Sequence, residues 1–218
     1  MRLVLVGPPG SGKGTQAKRL VERLGLSYVG TGEILREAVR LNTPVGRVAG
    51  PLLKQGLLVP DPVVNDVVAE LFRGPGRPDR FVMDGYPRTL AQAVAFDALL
   101  RQQFLKLDAV VNLAIDDEEV VKRISGRRCC PNPACGVCFH VLANAPKAPG
   151  VCDRCGSSLT LRDDDKEETV RRRLLEFHKN CDPLLDHYAR LGLVRNVSAL
   201  DPVETIYQNI VKALPAAV

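Results

Sequence analysis

The run Gly7-Pro8-Pro9-Gly10-Ser11-Gly12-Lys13-Gly14-Thr15 carries the residue types needed to hold a phosphate group. Glycines let successive backbone N–H groups converge on an anion, a helix opening at the end of the run adds the positive end of its dipole, and Lys13 brings a full charge. The run follows the apolar segment Leu3-Val4-Leu5-Val6 and leads into a helical pattern from Lys13 to Leu24, the strand–loop–helix context that a phosphate loop requires. It departs from the general pattern at one position: Gly14 follows the lysine, and the hydroxyl comes one place later at Thr15. A second group, Asp84-Gly85-Tyr86-Pro87-Arg88-Thr89, follows the apolar run Phe81-Val82-Met83. It therefore falls at the carboxyl end of a buried strand, where open α/β sheets bind ligands. An Asp-Gly pair alone is only a turn signal; Arg88 downstream and the phosphate loop upstream make this segment a candidate second anion site.

Seven cysteines form the third group, six of them between Cys129 and Cys155. An odd number clustered in mid-chain reads as metal binding rather than as a disulfide framework. Cys130-x4-Cys135-Gly136 and Cys152-x2-Cys155-Gly156 are two similar half-sites, each with a glycine after its second cysteine where a metal knuckle turns its backbone under the sulfur. Four thiolates make a closed tetrahedral site suited to structural zinc. Cys129 and Cys138 are rival ligands, because Cys135-x2-Cys138 is also a legitimate half-site; Cys130 and Cys135 rank first because Phe139, not glycine, follows Cys138. Cys181 stands apart in a helical stretch and reads as a buried thiol.

The elements that must position these groups alternate. Apolar runs at Leu3–Val6, Phe81–Met83, Ala109–Ile115 and Leu193–Val197 lack polar alternation, so both faces are buried, as in a parallel sheet covered by helices. Helices are expected over Lys13–Leu24, Gly32–Leu41, Pro62–Phe72, Thr89–Phe104, Asp116–Ser125 and Lys166–Arg190, with Asp116 and Asp201 as N-caps and Pro202 opening the last helix. Glu167 with Arg171 and Glu168 with Arg172 are i,i+4 pairs of a solvated face. Two stretches break the alternation, Thr31–Val59 and Gly126–Asp165, and read as insertions. With 218 residues, 45% hydrophobic and 25% charged, the chain has the composition of one domain plus insertions, which excludes disorder and fibrous structure. A net charge of +5 suits a small anionic ligand better than a nucleic acid. No run approaches the ~18 apolar residues of a membrane span, and Met1–Val6 meets Gly7 too soon to form a signal-peptide core. A soluble, cytoplasmic protein is expected.

Four separated signatures together resemble the adenylate kinase family over essentially the whole chain: the Gly7–Thr15 loop; Thr31-Gly32-Glu33-Ile34-Leu35-Arg36; Asp84–Thr89 with Gln92; and Leu161-Arg162-Asp163-Asp164-Asp165 followed by Glu167–Arg173. The resemblance implies an α/β fold: a P-loop NTPase-type parallel five-stranded sheet flanked by helices. Residues 1–29, 60–125 and 166–218 would form the core, 30–59 a helical AMP-binding insertion, and 126–165 a small zinc-binding lid. It implies reversible, magnesium-dependent phosphoryl transfer from ATP to AMP, giving two ADP, in adenine nucleotide homeostasis. Thr31, Arg36, Gly85, Arg88, Gln92 and the backbone of Leu57, Leu58 and Val59 match AMP-binding positions, the arginines holding the α-phosphate and Gln92 reading the adenine edge. Gly10, Ser11, Gly12, Lys13, Gly14 and Thr15 match the ATP phosphate cradle. Arg123, Arg162 and Arg173 match arginines that close on the transferring phosphoryl group or its nucleotide, Arg162 and Arg173 reaching the AMP side as well; Arg127 matches another ATP-side arginine. Arg123 would stack on the ATP adenine. Asp84 matches the carboxylate that orients magnesium-bound waters. Cys138, Phe139 and His140 are carried to the ATP side by the aromatic–His pair that follows the zinc site in relatives. Ser198–Asp201 stands where relatives have a glycine-containing loop against ATP adenine, with Asp201 as the contact. Zinc-containing relatives space the first cysteine pair more tightly than Cys130 and Cys135.

The charge logic agrees with this assignment, since guanidinium forks stabilise phosphoryl oxygens bidentately where a mobile ammonium does not. Two other readings stay open: a kinase for another monophosphate such as UMP or CMP, and a P-loop switch or zinc-ribbon nucleic-acid binder. Gln92 and the long lid argue against the first. Against the second stands the local charge of 126–165, where Lys147 and four arginines nearly balance Asp153, Asp163, Asp164 and Asp165. The expected partners are ATP, AMP and ADP, with no nucleic acid, no membrane and a monomeric chain.

Overall fold

The computed structural model describes residues 1–215. In chain order the elements are β1 (Arg2–Val6), α1 (Lys13–Leu24), β2 (Ser27–Gly30), α2 (Thr31–Arg40), α3 (Pro44–Gln55), α4 (Asp61–Arg73), β3 (Phe81–Asp84), α5 (Leu90–Gln102), β4 (Ala109–Ala114), α6 (Asp117–Ser125), β5 (Arg127–Cys129), β6 (Cys138–His140), a 3-10 turn (Asp163–Asp165), α7 (Glu167–Arg190), β7 (Val194–Ser198) and α8 (Val203–Ala213). The main sheet has five strands in the order β2-β3-β1-β4-β7, all parallel. It is flanked by helices, the α/β architecture expected of a P-loop NTPase.

Successive strand residues point to opposite faces, and here both faces are covered. Val4, Val6, Phe81, Met83 and Val110 pack against Phe72 of α4, Phe96 of α5 and Leu184 and Tyr188 of α7. Leu3, Leu5, Val82, Val111 and Leu113 pack against Ala17 and Leu20 of α1 and Ile206 and Ile210 of α8. That two-sided burial is why the strand runs are continuously apolar. Because β1 lies between β3 and β4, connections leave it in both directions, and a crevice opens at the carboxyl ends of these strands.

The sequence runs identify four of the five strands. The fifth, β2, occupies an edge of the sheet, begins at an exposed serine and is four residues long, too little apolar period to announce itself. The Thr31–Val59 stretch contributes no strand to the sheet and folds as α2 and α3, which cross closely: a Cβ on Gly46 would lie 2.0 Å from the Ala38 carbonyl oxygen. Asp116 occupies the N-cap of α6 without a side-chain capping bond. Asp201 is not the N-cap of α8; Pro202 is, and the helix begins at Val203. The Pro202 ring lacks an N–H, so it serves best just before the hydrogen-bonded turns.

Candidate active site

The phosphate loop spans the gap between Val6 and the first residue of α1, Lys13. Gly10 has φ +78, and a Cβ there would sit 2.7 Å from Ile124 Cγ1, so neither the backbone nor the space accepts another residue. Ser11 is fully buried, and its Oγ has no partner among the described residues. Lys13 Nζ donates to the carbonyls of Gly7 (2.7 Å) and Pro8 (2.8 Å), which folds it back over the loop. Burial pulls its pKa from 10.5 down to about 8, and the nearby Arg88, Arg173 and Arg127 pull the same way while Asp84 opposes them.

Across the crevice, Asp84 closes β3, and Gly85 takes φ +83 in a turn where a Cβ would meet Arg88 Nη2 at 2.9 Å and Thr31 Oγ1 at 3.2 Å. Arg88 is aimed by this turn: its Nε donates to the Gly85 carbonyl (2.7 Å), and its backbone N–H donates to Gln92 Oε1 (2.7 Å). Gln92 is buried and donates from Nε2 to Asp61 Oδ1 (2.7 Å); Thr89, which caps α5, donates to the other Asp61 oxygen (2.8 Å). Thr31 Oγ1 donates to the Gly85 carbonyl (2.9 Å). Burial also lowers the Arg88 pKa, to about 10, with Arg173 and Arg36 contributing; the guanidiniums of Arg162 and Arg173 are lowered too, burial first and neighbouring cations after it. Lys13, Arg36, Arg88 and Arg173 lie around one space.

That space is one cleft, open to solvent. Lys13, Thr31, Arg36, Leu57, Leu58, Val59, Gly85, Arg88, Gln92 and Arg173 all line it, so the sequence-assigned AMP residues other than Arg162 converge on one cavity together with the phosphate-loop lysine. Asp164, Phe177 and Cys181 line it as well. Arg173 Nη1 donates to Asp164 Oδ2 (3.2 Å) and to the Asp164 carbonyl (2.9 Å). Arg127 forms a two-point ion pair with buried Asp165 at the base of the lid, with Nε donating to Oδ2 at 2.8 Å. Arg123 Nη1 donates to the Ala199 carbonyl (2.8 Å), which ties α6 to the loop ahead of α8. Asp201, in that loop, is exposed. Asp84 Oδ2 lies 3.3 Å from where a Gly14 Cβ would be, against the first turn of α1. Such a carboxylate beside a phosphate cradle is the donor chemistry that suits magnesium.

In the lid, β5 and β6 pair antiparallel with Cys129 opposite Cys138, and these two are joined as a disulfide. Neither rival ligand therefore enters the metal cluster. Cys130, Cys135, Cys152 and Cys155 bring their sulfurs within 4.8 Å of one another, at 3.4 Å for Cys130–Cys155 and 3.7 Å for Cys135–Cys152. Four sulfurs at Zn–S ~2.3 Å in a tetrahedron stand about 3.8 Å apart, so the residues present fit zinc. Phe139 is buried with Cys130 and Cys152 in the lid's own small core. His140 Nδ1 accepts from the backbone N–H groups of Leu142 (3.1 Å) and Ala143 (3.0 Å), shaping the turn after β6. Cys138 Sγ lies 3.4 Å from Arg162 Nη2. One neighbour of Asp84 has no counterpart in the sequence reading: Tyr28, on β2, whose hydroxyl donates to Asp84 Oδ2 at 3.2 Å.

A phosphate loop at the end of β1 and a second cationic pocket at the end of β3, opening into one cleft, define a P-loop phosphotransferase. The sequence pattern described as adenylate kinase matches residues 5–193. An adenylate kinase of Streptomyces avermitilis is 46% identical over 214 residues, covering 98% of this chain and 97% of its own. One of Archaeoglobus fulgidus is 45% identical over 210 residues, 96% of each chain, and one of Streptomyces griseus is 44% identical over 217 residues, 100% of this chain and 99% of its own. The chain belongs to the adenylate kinase family. It is a nucleoside monophosphate phosphotransferase that moves a phosphoryl group from ATP to AMP, with ATP, AMP and ADP as its nucleotides and magnesium accompanying ATP.

Proposed function

We propose that the cleft performs ATP + AMP ⇌ 2 ADP by alignment and charge, with residues 30–59 closing over AMP and 126–165 over ATP while 1–29, 60–125 and 166–218 hold still. The observation that carries this reading is the convergence of Lys13, Arg36, Arg88 and Arg173 on one cleft. Gly10–Thr15 hold the ATP phosphates by backbone N–H groups, with Lys13 moving from the loop carbonyls to the β- and γ-phosphates. Arg36 and Arg88 hold the AMP α-phosphate, and Thr31, Gly85, Gln92 and the Leu57–Val59 backbone orient the nucleoside. An α-phosphate oxygen of AMP attacks the γ-phosphorus as the bond to the β–γ bridging oxygen of ATP breaks, and the leaving ADP keeps that electron pair. Arg123, Arg127, Arg162 and Arg173 stabilise the charge spread over the transferring oxygens. Asp84 would orient the waters of the magnesium ion that accompanies ATP, which when bound would supply further neutralisation of phosphate charge. Arg127 and Arg173 reach the phosphates by exchanging their contacts with Asp165 and Asp164. Lid closure excludes water, which keeps the phosphoryl group from hydrolysis.

Zinc would be held by Cys130, Cys135, Cys152 and Cys155 and would staple the lid beside the Cys129–Cys138 disulfide, and we assign the protein to the cytoplasm together with its nucleotide substrates. We further propose a monomer that binds no nucleic acid, since the net charge is only +5. Cys138, Phe139, His140 and Asp201 belong to the ATP side in this reading through the hairpin turn and the loop before α8. The test is a panel of AMP, UMP and CMP at equal concentration with ATP. AMP should be the preferred acceptor by kcat/KM, and UMP or CMP outrunning it would overturn the acceptor assignment. ATP consumption at the same rate with and without AMP would overturn the transfer itself. Light scattering of the purified chain tests the monomer.

A further inference from the structure

Gly30 has an ordinary extended backbone, φ −105 and ψ 97, which any residue adopts. What excludes a side chain there is space: a Cβ would lie 2.5 Å from the Tyr28 hydroxyl oxygen and 2.6 Å from two carbons of its ring. Tyr28 and Gly30 share one face of β2, and the register sets Tyr28 opposite Val82 and Gly30 opposite Asp84. The phenol therefore lies forward along the strand, over the bare Gly30 backbone, and its hydroxyl donates to Asp84 Oδ2 two positions ahead of its own partner. A plain packing role would need neither the missing Cβ nor a donor aimed at a carboxylate.

We infer that Tyr28 is a positioning residue for the phosphoryl-transfer reaction: seated in the slot that Gly30 leaves open, it holds Asp84 by Oδ2 and leaves Oδ1 for the water shell of the metal that accompanies ATP. This rests on the reading of Asp84 as the carboxylate that orients those waters. A carboxylate rotating freely about its last bond presents both oxygens equally, whereas a hydrogen bond to one of them fixes the plane of the group.

The test measures Mn2+ binding to the full-length protein saturated with a non-hydrolysable ATP analogue, read by the electron paramagnetic resonance of free Mn2+. Tyr28→Phe and Gly30→Ala should each weaken Mn2+ binding about ten- to a hundredfold, the scale of losing a partner that orients a metal-site ligand. Asp84→Asn should weaken it at least as much, and adding Tyr28→Phe to Asp84→Asn should cost nothing more. KM for AMP in Tyr28→Phe should stay at the wild-type value, with turnover in Mg2+ reduced. If Asp84→Asn weakens Mn2+ binding and Tyr28→Phe does not, the inference falls and the Asp84 reading stands. If Asp84→Asn leaves Mn2+ binding unchanged, both fall. An additive loss in the double variant refutes a route through Asp84.

Discussion

Replacing Lys13 by Met should make the nucleotide-free protein more stable at neutral pH while abolishing turnover. Burial takes the Lys13 pKa from 10.5 to about 8, and at ~1.36 kcal/mol per tenfold change in proton affinity this is a cost of about 3 kcal/mol for holding the folded-state ammonium charged. Against it stand the hydrogen bonds to the Gly7 and Pro8 carbonyls, whose net contributions are about 1 kcal/mol each. Methionine fills the same space without the charge, so the gain is about 1–2 kcal/mol, or roughly 2–8 °C in melting temperature for a chain of this size. The pH dependence separates this reasoning from a packing effect. Below pH 8 the lysine is protonated in both states and the penalty is complete. Between about 8 and 10.5 the unfolded chain binds the proton and the folded chain releases it, so wild-type stability rises with pH through that window. The Met variant has no such rise, and the gap between the two proteins closes. Denaturant unfolding of both at intervals from pH 6.5 to 9.5, with ADP formation assayed on the same samples, measures it. A variant less stable than wild type at pH 7, or a gap independent of pH, would refute the reasoning.

Other outcomes follow from the same geometry. Arg88→Ala should lower kcat/KM by about 10²–10³-fold, because its charge is felt most in the transition state, with the melting temperature within a few degrees of wild type; steady-state kinetics beside a thermal melt check both. Cys152→Ser removes a buried ligand from a lid whose core otherwise amounts to Cys130, Phe139 and a few half-buried side chains. Metal content by elemental analysis should fall, and proteolysis within residues 126–165 should accelerate, since a structural zinc contributes folding energy locally; retention of full metal content and protection would count against the cluster.

The phosphate loop was legible because its chemistry is local: glycines, a lysine and a helix start need only neighbours in sequence, and α1 runs over the same residues, Lys13–Leu24, that the pattern marked. The buried strands were legible for a related reason, since double-sided burial leaves an uninterrupted apolar run. Boundaries that depend on capping were less so, as Asp201 illustrates: Asp and Pro both signal a helix start, and only the folded backbone distinguishes which residue caps. The cysteines divide along the same line. Knuckle spacing singled out Cys130, Cys135, Cys152 and Cys155, but Cys129 and Cys138 stayed rivals until the hairpin register set them opposite each other.

The sequence by itself determined the chemistry available: an anion cradle, scattered arginines, one carboxylate at a strand end and four thiols in two knuckles. Each of these is a property of residue type and short spacing, and so survives without any fold. The tertiary structure alone decided which charges share a space. Arg36, Arg88 and Arg173 lie far apart in the chain and meet in one cleft, while Arg123 is tied to the Ala199 carbonyl and Arg127 to Asp165. It also decided that a short edge strand delivers Tyr28 to Asp84 across 56 positions of sequence. Contacts of that kind depend on strand order and register, which arise from burying both faces of the sheet at once and leave no periodic trace in the residues that make them.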